Sequence, residues 1–360
     1  MTPPATATAF ALPEAPEERQ PNKTNRIGLL LADYKGAEST LCAGCGHDAI
    51  TSSVVKACHE LGIDPSQVAK LSGIGCSSKT TNYFLNQAHG INAVHGRMSS
   101  IATGSQLANR TLLSIGVSGD GDTASIGLGN FLHMVRRNTR IVYIIENNGC
   151  YGLTKGQFSA TADVGSIKKG GKLVNQQQPV DICSLAIQMG CKFVARSFSG
   201  DTKQVKALIE AAVSHNGTAV LDIVSPCVTF NNHEGSTKSV TYAREHEDPL
   251  HEIDFIPHHD PIVVDYKPGE VRTVTMHDGS IITLKKLNRD YDPTDKIGAL
   301  TILYEAARDQ HFHTGLIYCD ESSKPFAAQM NIVDGPLAHL PDSAIRPSND
   351  AFKELMASFA

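Results

Sequence analysis

No apolar run in the chain approaches the roughly 20 residues that a membrane-spanning helix needs, so no membrane segment is expected. There is no block of basic residues and no nucleic-acid motif. With 32 basic against 37 acidic residues the chain is mildly acidic, and nucleic acid is not an expected partner. The opening stretch MTPPATATAFALPEAPEERQP lacks the basic start and apolar core of a signal peptide. Rich in Pro, Ala and Thr, it is expected to form an arm over residues 1–25. No G-x-G-x-x-G follows a strand-like segment, so a dinucleotide hydride carrier is not implied. No internal repeat is visible, and no closely spaced cysteine run follows residue 227.

What is present is a chain of 360 residues, a length that suggests about two domains of roughly 150 residues each. Its hydrophobic content of 41% can build a substantial core, and 30 glycines imply many close backbone approaches. Nine cysteines without a secretion signal point to a reducing, cytoplasmic setting, where clustered cysteines more often hold metal than pair as disulfides.

From about residue 41 to 226, helical stretches alternate with short, continuous apolar runs. Helices are predicted at 47–61, 98–110, 123–138 and 202–217, and strands at 68–75, 111–122, 140–148, 192–200 and 218–226. That alternation predicts an α/β fold, a doubly wound parallel sheet. Beyond residue 240 the character changes: a stretch rich in His, Asp and Pro, then a β-hairpin turning at Asp278-Gly279, a helix over 299–312, and loops. The expected division is an arm (1–25), a main binding domain (26–240) and a small C-terminal extension (241–360).

The most informative constellation is GDGD at 119–122 followed by ENN at 146–148. A short Gly/Asp motif alone usually marks only a strand-to-helix turn. Here Asp120 and Asn148 end successive strands 28 residues apart, the length of one crossover helix and one strand. A right-handed βαβ unit brings both to the carboxyl edge of the sheet, where α/β ligands bind. Mg²⁺ takes six oxygens and keeps phosphate oxygens among them. Asp120, the Asn148 amide oxygen and the Cys150 carbonyl would supply three. Gly119 and Gly121 would let the backbone approach the phosphates, and the helix opening near Thr123 would offer N–H groups.

Cys42 and Cys45 form CAGCGH, Cys76 stands in GIGCSSK and Cys227 in SPC, the last two after strands. Four such thiolates suit either Zn²⁺ or an iron–sulfur cluster. Cys58, Cys183, Cys191 and Cys319 read as small buried apolar residues, and Cys150 matters only through its carbonyl.

In order, CAGCGH, GIGCSSK, HGR, GDGD, NNGCYGLTKGQ and SPC resemble the β subunit of 2-oxoacid:ferredoxin oxidoreductases, over about residues 26–240. CAGCGH stands where that family often has CPGCGH, and TKGQ where many members have TGGQ. The resemblance implies the thiamine-diphosphate-binding, pyrophosphate-domain type of sheet, with thiamine diphosphate, Mg²⁺ and one [4Fe–4S] cluster held by Cys42, Cys45, Cys76 and Cys227. It implies that Ile74, Gly75, Cys76, Ser77, His95, Gly121, Asp122 and Leu153 contact the cofactor, that Lys79 helps hold the substrate carboxylate, and that Leu153 shapes the pocket. It further implies CoA as co-substrate, ferredoxin as electron acceptor, and a partner α subunit in an (αβ)₂ assembly that supplies the carboxylate acting on the aminopyrimidine. The stretches GQFSATADVGS and CVTFNNHEGSTKS are more like the 2-oxoglutarate branch than the pyruvate branch, and their basic residues could meet a second carboxylate. Alternatives of other kinds are a pyruvate or broad-specificity oxidoreductase, a non-redox thiamine-diphosphate enzyme with structural zinc, and a metal-stapled assembly subunit without catalysis.

Overall fold

The computed structural model describes residues 24–167, 173–225, 227–229, 262–275, 281–309, 311–322 and 324–359. The arm up to residue 23, the residues between 229 and 262, and the Asp278-Gly279 turn lie outside the described residues.

The chain enters the sheet after helix α1 (Gly46–Glu60), through β1 (Val68–Ser72) and the short helix α2 (Cys76–Thr80). There follow β2 (His89–Asn92), α3 (Met98–Ala108), β3 (Leu113–Gly119), α4 (Leu128–Arg137) and β4 (Ile141–Asn147). A two-residue ladder, β5 (Cys150–Tyr151) with β6 (Gln157–Phe158), precedes α5 (Ile182–Gln188), β7 (Phe193–Phe198), α6 (Thr202–Ser214) and β8 (Thr218–Val224). The C-terminal part adds β9 (Val271–Thr275), β10 (Ile281–Lys286), α7 (Lys296–Arg308), β11 (Phe312–Cys319) and, near the end, a helix over Asn349–Ala357.

Nine strands form one sheet in the order β2-β1-β3-β4-β8-β7-β11-β10-β9. From β2 to β7 every neighbouring pair is parallel. β11 then joins β7 antiparallel, and β9 and β10 form the predicted antiparallel pair at the far edge. The central strands are buried along their length because helices cover both faces, which is why they read as continuous apolar runs. Alternate residues feed two separate cores. Val142 and Ile144 pack with Ile50, Val54 and Ile209 on one face, and Tyr143 and Ile145 pack with Met98, Phe131 and Ile187 on the other. The fold is therefore a doubly wound, mostly parallel α/β sheet. Among the described residues no helix is long and apolar enough to cross a membrane.

One predicted element differs. The helix expected over 123–138 opens as a π-helical turn, Gly121–Ile126, before α4 begins at Leu128. The Gly127 N–H reaches back five residues to the Asp122 carbonyl at 2.9 Å. The wide turn follows from the Asp122 side chain, which is pinned to three neighbouring segments and cannot follow a tighter spiral. Gly127 is required there, since a Cβ would stand 2.5 Å from the Asp122 carbonyl oxygen.

Candidate functional site

The chain leaves β1 toward one edge of the sheet and β3 toward the other, so a crevice opens outside their carboxyl ends. Asp122 staples its walls. Oδ1 accepts from the Ile74 N–H (3.2 Å), the Gly96 N–H (2.7 Å) and His95 Nδ1 (2.5 Å), and Oδ2 accepts from the Ser118 hydroxyl (2.7 Å). A Cβ on Gly73 would fall 1.9 Å from this carboxylate, so only glycine lets β1 pass it. Asp122 thus lines the crevice with its carboxylate committed inward. His95, held through Nδ1, packs edge-on against Tyr151 at 6.0 Å.

Asp120 is 1% exposed. Its Oδ1 accepts from the Asn148 N–H (3.4 Å) and its Oδ2 from the hydroxyls of Ser159 and Thr161 (the latter at 2.5 Å). Burial pushes this carboxyl above the usual aspartate range, and the two hydroxyl donors pull it back. Asn148 turns its side-chain oxygen onto the Cys150 N–H at 3.1 Å, across Gly149 at φ +71°. At Gly121 a Cβ would meet the Tyr151 ring at 2.5 Å, and at Gly119 the Ser77 hydroxyl at 3.1 Å, so both glycines are places of close approach. A buried carboxylate, an amide oxygen and a backbone carbonyl are hard oxygen donors, the set that suits Mg²⁺.

One crevice is lined by Ile74, Gly75, Cys76, Ser77, His95, Gly119, Asp120, Gly121, Asp122, Asn148, Cys150 and Leu153, and also by His47, Glu146 and Tyr151, which sequence reasoning did not assign to the cofactor. Leu153 stands 49% exposed at its rim. Lys79 does not line it; it lies at the end of α2, close enough to Cys76 for its charge to lower that thiol.

Cys42 and Cys45 from one turn, Cys76 after β1 and Cys227 after β8 come from three segments and reach one another's electrostatic range. Cys45 caps α1, and its N–H donates to the Cys42 carbonyl at 3.0 Å. Thr229 ties the segment after β8 to Cys42, hydroxyl to Sγ at 3.6 Å. Burial pushes the Cys76 thiol up to about 11, with Cys227 and Cys42 adding to the rise, and burial and then Glu146 and Cys227 act on Cys45 in the same direction. Cys150, lining the crevice, has its thiol raised first by a hydrogen bond with Cys227. Among the described residues no three His, Cys, Asp or Glu side chains converge as a single ion would need. By ligand type the four thiols suit either Zn²⁺ or an iron–sulfur cluster. Cys58, Cys183 and Cys191 are fully buried in the cores, with thiols raised by burial.

Between the two groups lies Glu146, 1% exposed, with neither carboxyl oxygen hydrogen-bonded. Burial, with Asp48 nearby, holds its carboxyl well above the usual range. His47, 3.6 Å away and bonded to Ser225 at 2.7 Å, is pushed down to about 4 by burial. Because the folded state holds the Glu146 proton more tightly than the unfolded chain, its contribution to stability is complete below the ordinary glutamate value and is lost as pH rises toward the raised one. Metal-free Glu146→Gln should therefore gain on the native chain by up to ~1.4 kcal/mol per pH unit above about pH 4.5. Urea unfolding at about pH 5, 6 and 7 checks this, and a difference constant across the range would show that Glu146 is not held neutral.

The family described as thiamine pyrophosphate enzyme, C-terminal TPP binding domain, matches residues 73–223. The chain is 41% identical to 2-oxoacid:ferredoxin oxidoreductase 1, subunit beta, of Aeropyrum pernix, over 64% of this chain and 70% of that one. It is 39% identical to 2-oxoacid:ferredoxin oxidoreductase subunit beta of Saccharolobus solfataricus, over 67% and 76%. Among solved structures, 2-oxoglutarate:ferredoxin oxidoreductase from Magnetococcus marinus, with 2-oxoglutarate, coenzyme A and succinyl-CoA bound, superposes with a TM-score of 0.67 at 27% identity, covering 96% of this chain and 99% of that one.

Proposed function

This chain belongs to the family of 2-oxoacid:ferredoxin oxidoreductase β subunits, and from that premise we propose that it holds thiamine diphosphate with Mg²⁺ and one [4Fe–4S] cluster for the CoA-dependent oxidative decarboxylation of 2-oxoglutarate, with ferredoxin as electron acceptor. The observation that carries the reading is the meeting of two donor sets at one sheet edge: hard oxygens at Asp120 and Asn148, soft thiols at Cys42, Cys45, Cys76 and Cys227, with Cys76 lining the crevice between them. When bound, thiamine diphosphate supplies the carbon nucleophile and electron sink for decarboxylation. Asp120, Asn148 and the Cys150 carbonyl would hold Mg²⁺, and Gly119 and Gly121 let the Ser77 and Tyr151 side chains close on the turn beside it. His95, oriented by Asp122, and Leu153 at the rim would meet the reacting end of the ligand. Since burial keeps the Cys45 and Cys76 thiols protonated, loading a cluster must displace their protons.

The choice of 2-oxoglutarate is supported by the Magnetococcus marinus enzyme, which matches nearly the whole chain and was solved with that substrate, and by 34% identity to 2-oxoglutarate oxidoreductase subunit KorB of Mycobacterium tuberculosis. In the family the carboxylate that acts on the aminopyrimidine comes from the α subunit. The isolated chain should therefore turn over no 2-oxoacid, and adding the α subunit should restore ferredoxin reduction, at least tenfold faster with 2-oxoglutarate than with pyruvate at equal concentration. Turnover by the isolated chain would show that the acid lies in this chain. Preference for pyruvate would overturn the substrate, and zinc in place of iron and sulfide would overturn the redox reading.

A further inference from the structure

At the opposite end of the sheet from the crevice, where β4 and β8 begin, a cavity of about 340 Å³ is walled by Arg110, Thr139, Arg140, Asn216, Lys324 and Phe326, among others. β4 is seven residues long, so roughly 20 Å of strand separates this cavity from the crevice. Asn138 builds its frame, closing α4 in the left-handed conformation at φ 56°. Its Oδ1 accepts from the Thr218 N–H at 2.9 Å, its Nδ2 donates to the Lys324 carbonyl at 3.1 Å, and its own carbonyl accepts from the Phe326 N–H at 3.0 Å. One residue thereby clamps three segments, so the fold itself holds the walls in place. Arg110 donates to the Ile332 carbonyl at 2.9 Å and pairs with the exposed Asp334 at 3.1 Å.

The lining carries three cations and no carboxylate. Some of the positive charge nearby has an ordinary reason: Arg136 and Arg137 stand in the last turn of α4, where cations suit the helix dipole. Arg140 and Lys324 lie outside any helix. Arg140 is half-buried, and among the described residues its Nε is closed off from solvent without a hydrogen-bond partner. Leaving a buried donor of a charged group unpaired is costly, and folded proteins rarely do so without a bound partner. The guanidinium fork matches the paired oxygens of phosphate and carboxylate. Asp334 already answers Arg110, so a second and third charge remain for a ligand to meet.

We propose that this cavity binds a compact multivalent oxyanion, a small phosphate ester or a polycarboxylate, through Arg140 and Lys324 with Arg110 beside them. Its volume lies at the small end of the usual ligand range, roughly 300–1,000 Å³. Its distance from the crevice keeps the anion away from the reacting atoms, so the proposal stands apart from the cofactor reading. The test is calorimetric titration of inorganic diphosphate, and separately of citrate, into the assembled α–β protein. Thiamine diphosphate is kept saturating and Mg²⁺ in excess of either anion, so that neither the cofactor site nor chelation contributes heat. The expected result is one anion bound per copy of this chain. Affinity should fall about tenfold in Arg140→Gln and in Lys324→Gln, the loss of one charge-assisted hydrogen bond in each. Thiamine diphosphate affinity should stay native in both variants. The Lys324 side chain is exposed, so Lys324→Gln keeps the test alive if Arg140→Gln fails to fold. Binding of diphosphate alone would identify the ligand as a phosphate ester, and binding of citrate alone as a polycarboxylate. No binding of either anion at millimolar concentration, or binding that the folded variants leave unchanged, would overturn the proposal.

Discussion

Asp120→Ala, and separately Asn148→Ala, should abolish Mg²⁺-dependent binding of thiamine diphosphate while leaving iron content intact. Each change would remove one of the three protein oxygens proposed for the cation, whose other ligands would be phosphate and water. The loss should exceed the roughly 10–100-fold typical of a ligand's outer partner. The two variants should differ in stability. Asp120 is buried and pushed toward neutrality, so its removal takes away a costly charge while stranding the Ser159 and Thr161 hydroxyls. Asn148→Ala removes only one acceptor of the Cys150 N–H. Neither change touches the thiol group, so iron should stay. Calorimetry on the assembled protein is the measurement, and unchanged cofactor affinity in both variants would refute the site.

The parts legible in the sequence were those whose physics is local. Strands β1, β3, β4, β7 and β8 announce themselves because sheets covered on both faces need unbroken apolar runs. Asp120 and Asn148 were legible because a crossover helix has a nearly fixed length. β2 was not, since all four of its residues are exposed at a sheet edge and carry no burial pattern. β11 was hidden because its buried residues fall in adjacent pairs rather than alternating, and because the helix expected to run to residue 312 ends at Arg308. The π turn depends on Asp122 reaching segments 48 and 26 residues away, which no local pattern shows. Glu146 and His47 sit inside motifs already read, ENN and CAGCGH, whose neighbours took the assigned roles. The cavity walled by Arg140 and Lys324 exists only once the starts of β4 and β8 meet the segment after β11.

Cys227→Ser should strip the cluster and reduce ferredoxin reduction to background, whereas Cys58→Ala, Cys183→Ala or Cys191→Ala should cost roughly 1–2 kcal/mol of stability and leave the cluster spectrum unchanged. The contrast is one of place. Cys58, Cys183 and Cys191 lie within the two hydrophobic cores, in contact with strand and helix residues that an alanine still fills in part. Cys227 instead follows β8 at the edge where Cys76 follows β1, and its thiol adds to the raised proton affinity of Cys76, as thiols gathered for a shared cation do. Serine keeps the size but is a poor match for iron, so a serine variant tests ligation rather than packing. Cys150 is the one thiol placed to stand in, since it hydrogen-bonds with Cys227 from the crevice wall. Iron and sulfide analysis with electron paramagnetic resonance of the reduced, anaerobically purified α–β protein reads the outcome. If Cys227→Ser kept full iron, sulfide and the native spectrum, and the double variant Cys150→Ser/Cys227→Ser kept them too, the fourth ligand would lie elsewhere and the proposed cage would be wrong. If only the double variant lost them, Cys150 would be the thiol that takes over when Cys227 is absent.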